Sequence, residues 1–268
     1  MASTPSSRTL ARRGLASRLA LAVALAWACI GCGPRIDLGS DVTWATDHES
    51  GTRDDWLLAP GGGFFEDDTS NDTVSIAAGP AHSGTYSLQI SNGGTSDMDG
   101  PGAYREFVDP EEQYYSAWYY LPTAYQTNSQ WTIQKFRSRS DSDPDVVSEG
   151  HDLNLRTLPD GEIILYVYSH DTDYLQAPLA DPPAFVPIQT WFHLEVLYRA
   201  RSDETGRLLV WLDDRLVYDL ENRRTAGKGN LLWLPCSIGE DVEPSPKVIY
   251  VDDAAVSLTR VTRSGQLF

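Results

Sequence analysis

The sequence predicts an all-β protein in which two antiparallel sheets pack as a jelly-roll β-sandwich. Three observations support this fold class. Short segments with alternating apolar and polar residues recur along the chain, as expected for strands that bury one face. Clusters of Gly, Pro, Asn and Asp separate these segments, and no segment keeps a 3.6-residue period over three turns. Many short strands with turn residues between them are typical of sandwiches and jelly rolls.

The clearest strand pattern lies in residues 191–220. Apolar residues alternate there along three consecutive segments, and Asp213-Asp214 forms a tight turn before the third. Further strands are predicted at residues 74–77, 86–90, 104–108, 114–120, 131–137, 153–157, 163–169 and 247–258. Two acid-containing stretches, residues 54–72 and 138–150, are predicted surface loops. A sheet of this kind buries one face, so function is expected on its other face.

The first 32 residues have the features of a secretory signal peptide. They contain four arginines, no acidic residue and an apolar run too short to span a bilayer. Residues 29–32 resemble the lipobox of bacterial lipoproteins, which implies lipidation of Cys32 after cleavage; plain secretion is the alternative. Residues 33–41 would form a tether and residues 42–268 a single β-sandwich domain. We therefore expect an exported protein anchored in the bacterial cell envelope, at the outer membrane, by lipid on Cys32.

The charge balance excludes one class of partner. The chain has 38 acidic and 21 basic residues and a net charge of −17, and loss of the four signal-peptide arginines leaves 17 basic residues and a net charge near −21. Nucleic-acid binding requires a basic surface, so no nucleic-acid partner is expected. A local basic cleft could still bind a polyanion, because salt screens distant charges. The sequence also lacks the HExxH and G-x-S-x-G motifs of zinc and serine hydrolases, and its one CxxC, residues 29–32, lies within the predicted signal peptide.

Strand phase places polar and aromatic residues together on one sheet surface. In the strand after Pro159-Asp160-Gly161, Ile163 and Leu165 point towards the core and alternate residues point away. The residues expected on the outward surface are Gln134, Asn154, Arg156, Tyr166, Tyr168 and His170. Aromatic rings beside amides and a guanidinium suit sugar rings and their hydroxyls or carboxylates. The alternative is an ordinary solvated sheet face on which the tyrosines contribute cross-strand packing.

Several segments together carry a family resemblance. They are residues 114–122, which read YYSAWYYLP, Gln134-Lys135, the WFH of residues 191–193, and residues 205–212, which read TGRLLVWL. Together they resemble bacterial polysaccharide lyases of the concanavalin A-like jelly-roll type, the heparin lyase I-like and glucuronan lyase-like group. The similarity covers most of residues 83–258. It implies a protein that cleaves a uronic-acid-containing polysaccharide by β-elimination; the alternative is a non-catalytic carbohydrate-binding lipoprotein.

The resemblance also implies residue roles. In such lyases one group neutralises the uronate carboxylate, a base removes the C5 proton and an acid protonates the leaving oxygen, with no cofactor required. Gln134 matches the family glutamine, Arg105 matches an arginine before the Tyr/Trp strand, and Lys135-Phe136 stands where the family has a histidine. The catalytic candidates, including those taken from strand phase, are Gln134, Tyr166, Tyr168 and His170. The substrate-binding candidates are Arg105, Lys135, Asn154 and Arg156.

A second resemblance concerns the two ends of the domain. Residues 49–52 and 82–88 with residues 250–253 are similar to segments of carbohydrate-binding β-sandwich modules. In several such modules a Glu near the N-terminus and an Asp near the C-terminus share a structural Ca²⁺, which prefers hard oxygen ligands. The resemblance implies Glu49 and Asp253 as calcium ligands. Solvated acidic residues are the alternative, since the chain is rich in them.

Overall fold

The computed structural model of the protein describes residues 41–58, 61–67, 71–93, 100–108, 110–127, 130–139, 147–170, 176–227, 230–239 and 241–262. The predicted signal peptide, Cys32 and residues 33–40 of the predicted tether lie outside the described residues. Within these ranges, no helix has the length and apolar composition that a membrane span requires.

Strands make up most of the described chain. In chain order they are β1 (Val42–Thr46), β2 (Gly62–Glu66), β3 (Asp72–Ala78), β4 (Tyr86–Asn92), β5 (Gly102–Phe107), β6 (Glu112–Tyr120), β7 (Gln126–Thr127), β8 (Trp131–Arg139), β9 (Val147–Thr157), β10 (Ile163–Ser169), β11 (Phe192–Arg199), β12 (Gly206–Leu212), β13 (Arg215–Arg223), β14 (Leu231–Gly239), β15 (Val242–Glu243) and β16 (Lys247–Ser257). One short 3₁₀ helix, Arg53–Leu57, precedes β2.

The strands form two large antiparallel sheets. The first has eight strands, in the order β13-β12-β11-β6-β16-β4-β3 with β1 paired to β16. The second has six strands, in the order β10-β9-β8-β14-β5-β2, and β7 and β15 form a small separate pair. Sequential neighbours such as β3 and β4 pair directly, whereas β16 returns from the end of the chain to lie between β4 and β6. This architecture confirms the predicted antiparallel jelly-roll β-sandwich.

The core lies between the two sheets and is rich in aromatic residues. Phe136 of β8 stacks on Tyr198 of β11 with ring centroids 4.3 Å apart, and Tyr115 of β6 lies 5.5 Å from Trp233 of β14. Each of these contacts joins one sheet to the other. All four rings are at most 1% exposed, so these contacts fix the separation of the sheets. The opposite face of the second sheet is thereby presented outward at a defined position.

Two predicted loops contain regular structure. Residues 54–72 include β2, which pairs with β5 and carries Phe64 and Phe65, and the helix that buries Trp56 completely. Residues 138–150 include the end of β8 and the start of β9. Acidic and glycine residues are frequent in residues 54–72, but tertiary packing of Trp56, Phe64 and Phe65 overrides that local preference.

Strand β14 was not predicted because it does not alternate. Trp233 faces the core, whereas Leu232 and Leu234 on the other face pack with Tyr104 and Phe64. Both faces are therefore apolar, and Pro235 lies within the strand, where a central position normally excludes proline. The register of β14 against β8 shifts at Pro235, which accommodates the missing N–H donor.

Candidate functional site

The candidate site lies on the outward face of the second sheet at β8, β9 and β10. The register pairs Tyr166 with Asn154 and Tyr168 with Asp152, and on the other side of β9 it pairs Lys135 with Asp152. Side chains that are directly opposite in an antiparallel pair share a face and lie about 5 Å apart at Cβ. Lys135, Asp152 and Tyr168 therefore form one row across three strands. The predicted pairing of β9 with β10 through the Pro159-Asp160-Gly161 turn is confirmed.

A buried charge network lies at the centre of this face. The Asp152 carboxylate is 2.6 Å from Arg137 Nη2 through Oδ1 and 2.6 Å from His170 Nε2 through Oδ2. Burial would raise the pKa of Asp152, but the Arg137 charge, the His170 hydrogen bond and the nearby Lys135 outweigh it and lower that pKa to about 2. Asp152 is thus ionised and fixes His170 in place.

Asp152 and Arg137 were not among the sequence-predicted site residues. The phase of β9 places Asp152 outward, but its partners lie 15 and 18 residues away, one on β8 and one directly after β10. No local spacing signals such a network. The sequence brings Arg137, Asp152 and His170 together only if β8 is paired with β9 in addition to the β9–β10 hairpin.

A second row lies beside the first. Thr132 donates a hydrogen bond to Asn154 Oδ1 at 2.6 Å, and Tyr166 lies opposite Asn154 in the strand register. Burial raises the pKa of Tyr166, and the Arg156 guanidinium, 5.2 Å from the centre of its ring, opposes that rise. Among the described residues, Asn154 Nδ2 has no hydrogen-bond partner although it is buried. That N–H group is therefore an unsatisfied donor beneath the outward face.

Tyr168 and His170 lie at the more exposed part of the face. Their rings meet edge to face with centroids 5.1 Å apart, and both side chains are partly exposed. Three cationic side chains, Lys135, Arg137 and Arg156, share the outward face of β8 and β9 with the carboxylate of Asp152, and Glu162 lies just before β10. The face is therefore locally positive in a chain whose net charge is −17. Local charge of this kind attracts an anionic ligand at short range despite the opposite overall charge.

Gln134 is not on this face. A β-bulge between Thr132 and Gln134 shifts the register, so Gln134 is opposite Leu153, a core residue. On its other side Gln134 pairs with Pro235 of β14. Pro235 lies two residues from buried Trp233 and therefore on the same face of that strand. The Gln134 side chain is fully buried, and neither amide atom has a hydrogen-bond partner among the described residues. The predicted outward position of Gln134 is wrong because the extra residue of the bulge inverts the phase.

Arg105 is also turned inward. Its side chain is fully buried on β5 in phase with the core residues Ala103 and Phe107. Its Nη1 donates to the carbonyl oxygens of Trp56 at 2.5 Å and Leu58 at 2.7 Å. Burial lowers its pKa to about 10. These contacts tie the 3₁₀ helix to the sheet, so the structure does not place Arg105 with the predicted substrate-binding residues.

The two predicted calcium ligands hold the same turn. Glu49 Oε1 accepts hydrogen bonds from the backbone N–H groups of Thr85 at 2.6 Å and Tyr86 at 2.7 Å. The Asp253 carboxylate is 2.5 Å from His82 Nδ1 and accepts a 2.7 Å bond from Ser83 Oγ. Within the described ranges, no three His, Cys, Asp or Glu side chains cluster as metal ligands. Protein donors already engage both carboxylates, and calcium at this position stays a prediction.

Removal of divalent cations tests that prediction. If Glu49 and Asp253 share a structural Ca²⁺, a chelator should lower the melting temperature by several degrees, because a ligand of the native state stabilises it. The Asp253→Asn variant should melt at the same temperature with and without chelator. Differential scanning fluorimetry measures both, and an unchanged melt of the native protein would contradict the prediction.

Comparison with known proteins identifies structural neighbours but no sequence relatives. No protein-family profile and no curated protein matches the chain. The endo-β-1,4-glucuronan lyase of the fungus Trichoderma reesei superposes with a TM-score of 0.59 at 15% identity, over 81% of this chain and 96% of that one. The fold is that of concanavalin A-like polysaccharide lyases.

Two further solved structures share this fold. The cellulose-induced protein Cip1 gives a TM-score of 0.57 at 18% identity, over 81% of this chain and 98% of that one. The alginate lyase Aly36B, in complex with an alginate trisaccharide, gives 0.53 at 12% identity, over 83% and 100%. The similarity spans nearly the whole of each neighbour. At these identities it establishes a common fold, and the chemistry of the site must be argued from its own residues.

Proposed function

We propose that the protein cleaves a uronic-acid-containing polysaccharide by β-elimination on the outward face of β8, β9 and β10. The observation that carries the proposal is the Arg137–Asp152–His170 network beside Tyr168 on a locally positive sheet face. A fixed imidazole, a neighbouring phenol and partly exposed cationic groups are the components that this elimination requires. The structural neighbours that are named as glucuronan and alginate lyases support the same assignment.

Substrate binding falls to the cationic groups and the Asn154 amide. Lys135 and Arg156 are partly exposed on this face, so both can meet the carboxylates of a polyuronate. Asn154 Nδ2, on β9 beside them, has no hydrogen-bond partner among the described residues. Contact of a uronate carboxylate with these groups withdraws charge from C5 and makes its proton more acidic. Because Gln134 lies in the core, these residues take over the neutralising role that the family resemblance implied for it.

The elimination then needs one base and one acid. His170, with Nε2 held by Asp152, removes the C5 proton through its other ring nitrogen. The electron pair of the C5–H bond forms the C4–C5 double bond while the C4–O bond breaks. Tyr168 donates its proton to the departing oxygen. The products are a new reducing end and an unsaturated uronate end, and the step requires no cofactor.

A polymer panel tests the proposal. The protein is incubated with glucuronan, alginate and glycosaminoglycans, and unsaturated uronate ends are followed by their ultraviolet absorbance. At least one acidic polymer should yield product, while a neutral galactomannan should yield none. Retardation of an acidic polymer in an affinity gel without product would instead support the non-catalytic binding protein. If no polymer yields product and none retards the protein, both the lyase and the binding-protein assignments are rejected.

We also propose that the protein is exported and anchored through lipid on Cys32, in the outer membrane. The proposal is supported by the arginine-containing, acid-free segment, its apolar run and the lipobox-like residues 29–32. A Cys32→Ser variant should lose incorporation of a labelled fatty acid and move from the membrane fraction to the soluble fraction. Labelling that persists in this variant would refute the anchor at Cys32.

A further inference from the structure

We propose that the outer face of the eight-stranded sheet carries a second, non-catalytic binding surface for an uncharged saccharide chain. The surface is a row of five partly exposed side chains, called here the aromatic row. Its members are Ser75, Gln89, Tyr250, Tyr120 and Trp191. The proposal does not depend on lyase activity at β8–β10, because the row is on the other sheet.

The strand register places these residues in line. Gln89 is paired with Ser75 on one side and with Tyr250 on the other, and Tyr250 is paired with Tyr120. Trp191 immediately precedes Phe192, which pairs with Tyr119, so it continues the row beyond Tyr120.

The row faces away from the core. Core residues flank its members on each strand: Val74, Leu88, Ile90, Tyr119, Phe192, Ile249 and Val251. Because side chains alternate between faces along a strand, the members of the row lie on the opposite face from these neighbours. Adjacent strands are about 4.8 Å apart, so the five positions extend for roughly 19 Å across the strands.

The rings of the row are held by their neighbours. Trp191 and Tyr120 have centroids 5.3 Å apart, and Tyr120 and Tyr250 have centroids 6.1 Å apart. The ring of His82 meets Trp191 at 5.8 Å, and the buried carboxylate of Asp253 holds His82 at 2.5 Å. The platform is therefore organised before a ligand arrives, which reduces the entropy lost on binding.

The chemistry of the row selects the ligand. Aromatic faces stack on the C–H faces of sugar rings, while the Gln89 amide and the Ser75 hydroxyl can bond to sugar hydroxyls. None of the five side chains carries a charge at neutral pH, whereas the face at β8–β10 is cationic. No aliphatic side chain interrupts the row, which sets it apart from a surface for lipid. The step between neighbouring strands is close to the length of one sugar residue, so an extended neutral chain fits across them.

Affinity electrophoresis of the full chain tests the proposal. Native gels contain hydroxyethyl cellulose, galactomannan or arabinoxylan, and mobility is compared with that in a gel without polymer. At least one neutral polymer should retard the native protein, and Trp191→Ala and Tyr250→Ala should each weaken that binding about threefold to tenfold. The Tyr168→Phe variant of the other sheet should bind as the native protein does.

Tyr114→Ala is the matched control. Tyr114 is also a partly exposed ring on the outer face of β6, but it is six residues, about 20 Å, from Tyr120. The Tyr114→Ala variant should be retarded as strongly as the native protein. Thermal melts are used to check that every variant is folded. Lack of retardation by all three polymers would overturn the proposal. Equal retardation of the native protein and both row variants would do the same, as would a dimer of the native protein that Trp191→Ala converts to a monomer.

Discussion

Replacement of Tyr168 by Phe and of His170 by Ala should each lower the rate of unsaturated-product formation by about two to four orders of magnitude. The reason is that each change removes a proton-transfer group from the elimination, and such groups typically contribute factors of that size. Both side chains are partly exposed, so little packing is lost. The measurement is the initial rate on the polymer that the native protein cleaves best.

The controls separate chemistry from structure. Tyr86→Phe changes a partly exposed tyrosine at the start of β4, on the other sheet, and should leave the rate unchanged. Added imidazole should restore part of the activity of His170→Ala, because a small base can occupy the vacated space; a purely structural role would give no such recovery. Native rates in both Tyr168→Phe and His170→Ala would contradict the assigned roles.

Replacement of Asp152 by Asn should destabilise the fold by about 3–5 kcal/mol. The change removes one member of a buried ion pair and leaves the Arg137 charge, whose side chain is only 10% exposed, without its counter-charge. Chemical denaturation of the native protein and the variant measures the difference in unfolding free energy. Asp219→Asn is the matched control, since Asp219 pairs with Arg207 at the surface with 40% of its side chain exposed. It should cost less than about 1 kcal/mol.

The stabilisation from Asp152 should also depend on pH. Its pKa in the folded protein, about 2, is below the value of 3.8 for a free side chain. A lowered carboxylate pKa contributes stability that is present above about pH 4 and disappears as the pH falls through about 2; the contribution is about 2 kcal/mol. The advantage of the native protein over Asp152→Asn should therefore shrink across this interval. A constant difference from pH 7 to pH 2 would contradict the assignment.

The sequence predicted those features that depend on local alternation. The hairpin of β9 and β10 keeps a regular period of two on both strands, so the positions of Asn154 and Tyr166 followed from phase alone. The same holds for the pairing of β11 with β12, whereas the pairing of β12 with β13 has register shifts and leaves Leu216 47% exposed. A strand with one buried face and one outward face shows an alternation of apolar and polar residues in its sequence.

Other features depend on long-range geometry. The bulge at Thr132–Gln134 inverts the phase of β8, and no residue type in that stretch marks it. Arg105 has the charge of a substrate ligand, yet the carbonyl oxygens that bind it belong to residues 47 and 49 positions away. The Arg137–Asp152–His170 network likewise joins β8, β9 and the residue that follows β10. Such contacts form only when the sheet is assembled, so the sequence read locally could not identify them.

The structure of the Tyr168→Phe variant with a bound oligouronate would test the central claim most directly. We predict that the sugar chain lies across β8, β9 and β10, with one carboxylate in contact with Lys135, Arg156 or Asn154 and its C5 carbon beside the His170 ring. A chain bound only elsewhere on the protein, with this face unoccupied, would contradict the assignment.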